Sequence, residues 1–366
     1  MDNDVVLWIV VGTALAFDFT NGFHDTANAV ATSISTRAMS PRVAVGLSSV
    51  LNFVGAFLSL AVAATIATGI VNADVITLPI VFAGLIGAIF WNLLTWYFGL
   101  PSSSSHALIG GVVGSAFAAE GSKAVIGSGL VEKVVIPGLM APPLAFLVAG
   151  LGILIVYRIV GRQRPSSVSR SYRYGQIITG SLFSLSHGTN DAQKTMGILF
   201  LALVANGNLS ADDDIPTWVV VSAATAIALG TYVGGWRIIR TMGSRIIKMD
   251  PAQGFAAQGV GATVILASSH VGFPLSTTHV ISGAIMGTGA AKRVSAVRWG
   301  VAGNIVAAWL LTLPAAAAVG GITYAIVALL GTEDFGPIAV SAALLIALAL
   351  ALVRRLVAGR TLTAEG

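Results

Sequence analysis

The sequence predicts an all-α, polytopic membrane protein of about 10 to 12 helices, built as two inverted-topology repeats. Three observations lead there. Charged residues make up 10% of the chain and hydrophobic residues 55%, where soluble domains run at roughly 25% charged, so too little polar surface exists to coat a water-facing globule. Apolar stretches of helical length recur from end to end. Two polar motifs also occur twice, in the same order, once in each half. At ~20 residues per crossing plus short loops, a chain of 366 residues has no room for a separate extramembrane domain. With no cysteine, disulfide frameworks, thiolate metal sites and cysteine nucleophiles are excluded.

The apolar stretches cover 5–34, 44–69, 78–98, 99–119, 135–158, 177–205, 217–236, 255–271, 272–290, 299–328 and 337–353. Membrane-barrel strands would alternate instead. The first stretch has a signal-peptide-like Ala14-Leu15-Ala16, but Asp2 and Asp4 stand where a positive leader is expected, so it reads as a span. The stretches at 99–119 and 272–290 each begin on a Gly-x-Pro break, which ends one helix before serines or threonines cap the next.

Basic residues fall in five clusters: Arg37 and Arg42; Arg158, Arg162, Arg164, Arg170 and Arg173; Arg237, Arg240, Arg245 and Lys248; Lys292, Arg293 and Arg298; Arg354, Arg355 and Arg360. The loops between them carry Asp2 and Asp4, Asp74, Glu120 and Glu132, Asp212 to Asp214, and Glu333 with Asp334. The positive-inside rule therefore places the N-terminus outside and the C-terminus in the cytoplasm of a multi-pass cell-membrane protein. The net charge of +5 is topology, and no nucleic-acid partner is expected.

The repeat sharpens this picture. FDFTNGFHDTANA at 17–29 aligns with FSLSHGTNDAQKT at 183–195, matching Gly22 to Gly188 and Asp25 to Asp191. GLPSSSSHALIGGVVG at 99–114 aligns with GFPLSTTHVISGAIMG at 272–287, matching Pro101 to Pro274, Ser103 to Ser276 and His106 to His279. The chain reads as two transmembrane repeats, 1–160 and 170–366, within one integral membrane domain. The charge map sends the two aspartate motifs across the membrane in opposite senses, as in secondary transporters, with discontinuous helices expected at both motifs.

Asp18, Asp25, Asp191 and Lys194 are the charged residues well inside apolar stretches, where an ionisable group is costly enough to require a function or an internal partner. Lys194 follows Asp191 by three residues, the spacing of a local ion pair. Helix starts at the serine motifs offer free N–H groups, a positive dipole end and rotatable hydroxyls, donors suited to a compact oxyanion. The aspartates suit an anion that still carries protons, since a P–OH needs an acceptor and sulfate has none to offer. Asn21, Asn28, Asn190 and Gln193 supply amides for a cation shell. All five histidines lie in or beside these motifs, yet no HExxH, P-loop or GxSxG is present, so the chain reads as neither a metalloenzyme, nor an ATP-driven pump, nor an enzyme of another class.

Asn21-Gly22-Phe23-His24-Asp25-Thr26-Ala27-Asn28-Ala29, Ser186-His187-Gly188-Thr189-Asn190-Asp191 with Gln193-Lys194, and both Gly-x-Pro-x-Ser-x-x-His segments resemble the PiT family of inorganic phosphate transporters over nearly the whole chain. Trp91-Asn92 and Trp96-Tyr97-Phe98-Gly99 are similar to its bacterial low-affinity branch. The resemblance implies two re-entrant helical hairpins and a phosphate held by Asp25, Asp191, Ser104, Ser105, Thr277 and Thr278. It places the coupled ion on Asn28 with the two aspartates, a set to which Asn190 and Gln193 add amides. Animal-type members carry Glu where this chain has Asn52, and this departure tilts the coupled ion to H+ over Na+. The link between halves, roughly 159–176, is too short for the cytoplasmic insertion of many members.

The expected activity is thus cation-coupled phosphate import with no cofactor. A permease for sulfate or arsenate, or an intramembrane aspartyl hydrolase, are the alternatives. The sequence leaves open whether phosphate travels free or as a metal complex, and whether the chain forms a homo-oligomer.

Overall fold

A computed structural model describes residues 4–332 and 334–364, with side chains described over 5–332 and 334–350. Asp2 and Glu333 of the charge map lie outside the described residues, as do the side chains of Asp4, Arg354, Arg355 and Arg360. Regular structure among the described residues is helical, apart from one antiparallel bridge between Val71 and Val125.

The order is α1 (Asp4–Ser35), α2 (Pro41–Gly55), α3 (Ala61–Thr68), α4 (Leu78–Phe98), α5 (Ser104–Glu120), α6 (Gly127–Leu130), α7 (Ile136–Val160), α8 (Pro165–Ala205), α9 (Thr217–Val233), α10 (Trp236–Arg240), α11 (Pro251–His270), α12 (Thr277–Lys292), α13 (Trp299–Leu330) and α14 (Phe335–Ala364). The chain is an all-α, multi-pass membrane protein. Val5–Ser35, Leu78–Phe98, Gly127–Val160 and Trp299–Leu330 are each long and apolar enough to cross a bilayer, and α9 with Trp236–Arg245, bent by 58°, makes a fifth. The remaining helices are shorter or diluted by the polar motifs, because an element that carries buried hydroxyls and amides cannot also be uniformly apolar. Leu151 on α7 and Leu310 on α13 are 62% and 63% exposed, as lipid-facing residues would be.

Two expectations are corrected. The aspartate motifs lie inside unbroken helices, the 32 residues of α1 and the 41 of α8. Neither motif contains proline, so each backbone N–H keeps its acceptor four residues back, and the polar side chains find partners without unwinding the helix. The link is also shorter than expected. Pro165, at the first helical position where its missing N–H costs nothing, starts α8, so only residues 161–164 separate α7 from α8.

Breaks occur at the serine motifs. Gly99 ends α4 in the left-handed conformation (φ 66°), with its N–H returned to Thr95 and Trp96, and Gly272 (φ 79°) plays the same part after α11. Such φ values suit glycine alone at no steric cost. Each break folds its two helices into an antiparallel hairpin. In α4–α5, the Ser115 hydroxyl donates to Ile80 O at 2.8 Å, and the Val71–Val125 bridge closes the open end. In α11–α12, Gln253 Nε2 donates to Thr288 O at 3.0 Å. Lys292 pairs with Asp250 at 3.1 Å and the Tyr157 hydroxyl donates to the same carboxylate at 2.7 Å.

Close crossings join the halves in matched pairs. A Cβ on Gly22 would strike Ile227 O and one on Gly188 would strike Asn52 O; Gly230 abuts Phe19 O and Gly55 abuts Leu185 O. Likewise Gly110 meets Leu313 O and Gly283 meets Pro142 O, while Gly114 meets Ala317 O and Gly287 meets Phe146 O. Two apolar clusters result. One takes Val6 to Phe17 of α1 and Ala192 to Leu203 of α8; the other takes Ala27 to Ala31 of α1 and Phe183 of α8. The polar motifs fill the layer between them.

Candidate functional site

The two hairpin tips meet in that layer against α1 and α8. Ser103 and Ser276 cap α5 and α12 by accepting from the N–H of His106 (3.1 Å) and His279 (3.2 Å). The first-turn N–H groups of Ser104, Ser105, Thr277 and Thr278 have no intrahelical acceptor by construction, so two positive helix ends face the aspartates. The tips touch where the Ser105 hydroxyl donates to Leu275 O at 3.3 Å.

Asp25 receives the side chains of both hairpins. Its Oδ1 lies 2.6 Å from His24 Nδ1, accepts from Ser104 Oγ at 3.2 Å and from Thr278 Oγ1 at 3.4 Å, while its Oδ2 accepts from Thr277 Oγ1 at 3.4 Å. Thr277 also lies 3.4 Å from Asp191 Oδ2, so one hydroxyl faces both repeated carboxylates. These O–H···O distances exceed the usual 2.5–3.0 Å, and such loose contacts are readily exchanged for those of a ligand. Asn28 Nδ2 donates to Thr278 Oγ1 at 2.8 Å and to Thr277 Oγ1 at 3.2 Å, and its Oδ1 has no partner among the described residues.

Asp191 is held differently. Lys194 Nζ donates to the Asp191 carboxylate and to the Ser105 hydroxyl, and to Leu275 O at 3.1 Å. The ammonium therefore ties α8 to both hairpin tips, and all of these groups are buried. His187 Nε2 lies 3.1 Å from Asp191 Oδ2, off line for a hydrogen bond, while its Nδ1 lies 3.2 Å from Asn52 Oδ1. When Nδ1 carries the proton, the Nε2 lone pair faces the carboxylates, an arrangement suited to a cation. Ligand atoms of Asp25, His187 and Asp191 all lie within 4.8 Å of one another, a hard-to-borderline donor set.

The structure thus brings together Asp25, Asp191, Ser104, Ser105, Thr277, Thr278 and Asn28. Asn190 stands beside them, donating to Ser269 Oγ (2.9 Å) and Phe273 O (3.4 Å) with Oδ1 unpartnered. Gln193 does not join the group. Its Oε1 accepts from the N–H of Val62 (2.8 Å) and Ala63 (3.3 Å), capping α3, because a residue two positions beyond Asp191 points to the opposite side of the helix. No local pattern points to Thr95, which accepts from Ser102 Oγ at 2.9 Å and lies 3.0 Å from His24 Nε2, fixing the imidazole against Asp25. Asn52, noted only as a departure from a family pattern, orients His187 and donates to Thr231 Oγ1 at 2.8 Å. His106 and His279 meet edge to face, 4.8 Å between ring centres, and line an apolar cavity of about 710 Å³ with Pro142 and Trp309, whose lining includes none of the carboxylates.

Known proteins resemble this chain over most of its length. The Mycobacterium tuberculosis (H37Rv) protein described as a probable low-affinity inorganic phosphate transporter is 57% identical over 327 residues, 89% of this chain and 78% of its own. The protein of the same description from Rhizobium meliloti is 49% identical over 328 residues, 88% of this chain and 98% of its own. Among solved structures, one titled the sodium-dependent phosphate transporter superposes with a TM-score of 0.79 at 25% identity, covering 89% of this chain and 99% of that one. The pattern that defines the Phosphate transporter family matches residues 21–320, and the chain belongs to that family.

Proposed function

We propose that the protein imports inorganic phosphate across the cell membrane by cation symport, holding it between the two hairpin tips and the two repeated aspartates. The convergence of Ser104, Thr277 and Thr278 on Asp25 is the observation that carries this reading. Helix-start N–H groups and hydroxyls donate to the phosphoryl oxygens, while Asp25 and Asp191 accept from the P–OH groups. Lys194 and Ser105 stand at the same place to offset the anion's charge. Sulfate lacks the protons that would make the carboxylates attractive, so the site selects against it. An aspartyl hydrolase is disfavoured because Asp191 is paired with the Lys194 ammonium, which leaves no free carboxylate pair to share one proton. We take the coupled ion to be H+, since buried carboxyl groups of α1 and α8 can carry a proton across; the neighbour titled sodium-dependent makes Na+ the competing choice, for which Asp25 and Asp191 with the unpartnered amide oxygens of Asn28 and Asn190 would supply the shell. In proteoliposomes, radiolabelled phosphate is expected to accumulate under an inside-alkaline gradient without Na+, unaffected by excess sulfate and abolished by a protonophore. Competition by sulfate would overturn the selectivity, and a Na+ requirement that survives the protonophore would overturn the choice of ion.

The same reading makes 1–160 and 170–366 inverted repeats with re-entrant hairpins. Its support is the matched glycine crossings and the charge map. Because the chain has no native cysteine, single cysteines at the exposed positions Ser40, Asp74, Ser167 and Ser210 report topology directly. Ser40 and Ser167 variants are expected to label from the cytoplasmic side and Asp74 and Ser210 variants from outside. Labelling of the Asp74 and Ser167 variants from one common side would exclude the inverted arrangement.

A further inference from the structure

Asp18 stands apart from the phosphate site. It lies seven residues before Asp25 on α1, about 10 Å along the helix axis, and its exposure is 0%. Among the described residues, no donor lies in hydrogen-bonding geometry to either carboxylate oxygen. Asn21, one turn on along the same face, and Thr195 of α8 are its polar neighbours. The Asn21 amide oxygen and nitrogen and the Thr195 hydroxyl are buried and unpartnered as well. The charges that act on Asp18 are Asp191 and Lys194, both on α8, and those two are paired with each other. The helices α4 and α9 add no charge, and their titratable side chains, Tyr97 and Tyr232, sit 60% and 66% exposed at the helix ends.

A bare carboxylate in such a place carries a heavy desolvation cost, and the same group with a proton does not. A carboxyl group would donate its O–H to the free Asn21 oxygen and accept from Thr195, giving each of the three side chains a partner. Asp25 and Asp191, by contrast, already have hydroxyl, imidazole or ammonium donors. We propose that Asp18 is the residue that carries the coupled proton, a role separate from phosphate binding; this rests on the proton-symport reading above. The carboxylate takes one H+ from the outer side, crosses the transport cycle as the neutral acid beside Asn21 and Thr195, and returns the H+ to the cytoplasm as phosphate leaves. The equivalent position in the second half is Ser184, so the protein has one such carrier rather than two.

The test uses the full chain in proteoliposomes and reads three quantities: phosphate accumulation under an inside-alkaline gradient, phosphate-driven H+ uptake from the medium, and phosphate–phosphate exchange with no gradient. Asp18→Asn mimics the protonated acid. It is expected to lower accumulation and H+ uptake by at least about tenfold, within the range of ordinary coupling energies, while exchange persists. Asp18→Ser, which copies the second half, should behave like it, and Asp18→Glu should restore H+ uptake. Wild-type H+ uptake in both neutral variants would overturn the proposal, as would loss of exchange together with accumulation in folded protein, since that would put Asp18 in the phosphate path. A wild-type protein that accumulates phosphate under a Na+ gradient without moving H+ would overturn the proton reading itself, and the proposal with it.

Discussion

Asp25→Asn is expected to lower phosphate uptake at least ~100-fold in protein that still folds. Asparagine keeps the shape of the carboxylate but replaces one acceptor oxygen with a donor, so a P–OH directed there loses its partner and meets an N–H. Leaving a buried polar group unsatisfied costs roughly 1–3 kcal/mol, and 1.36 kcal/mol is one factor of ten, so the upper part of that range alone gives the stated loss. Four groups converge on this carboxylate, from His24, Ser104, Thr277 and Thr278, so their orientation fails with it. Ser104→Ala removes one hydroxyl and should weaken phosphate binding by about tenfold, in line with the 0.5–1.5 kcal/mol of a single hydrogen bond. Phosphate binding by calorimetry and uptake in proteoliposomes check both, and a folded Asp25→Asn protein with normal uptake would remove Asp25 from the site.

The largest stability effect is expected at Lys194. Lys194→Met leaves the Asp191 carboxylate buried without its ammonium partner, and breaking a buried pair from one side costs about 3–5 kcal/mol. The effect should exceed that of an ordinary ion pair because Lys194 also bonds Ser105 and Leu275, so both hairpin tips lose a shared anchor. Adding Asp191→Asn removes the uncompensated charge, and the double variant should recover much of the lost stability without recovering transport. Thermal unfolding of detergent-purified protein, read as a double-mutant cycle, measures the recovery. A cycle in which the two losses simply add would show that the pair is not coupled.

The hairpin tips were legible from local chemistry. Gly-x-Pro cannot continue a helix, and a serine three residues before a free N–H caps the next one, so Gly99 to Ser103 and Gly272 to Ser276 declare their turns without reference to the rest of the chain. The repeated aspartates were legible because charge inside an apolar run is too costly to be incidental, and the Asp191–Lys194 contact because three residues is nearly one helical turn. Continuity of α1 and α8 was not legible in the same way, since polar residues in an apolar run can signal either an unwound segment or side chains that find partners across a helix interface.

The sequence by itself determined the all-helical membrane class, the division at the serine motifs and which side chains had to be kept from lipid. Tertiary structure alone decided their partners: that Gln193 caps α3, that Asn52 and Thr95 fix the two imidazoles, that Lys194 reaches across to Ser105 and Leu275, and that Asp18 has no partner among the described charged groups. The physical reason is that helical spacing sets which face a residue occupies, whereas the neighbour on that face is chosen by where helices cross. Those crossings depend on glycines such as Gly22 and Gly188 admitting a carbonyl from the other half, a contact between residues far apart in the chain that no local pattern encodes.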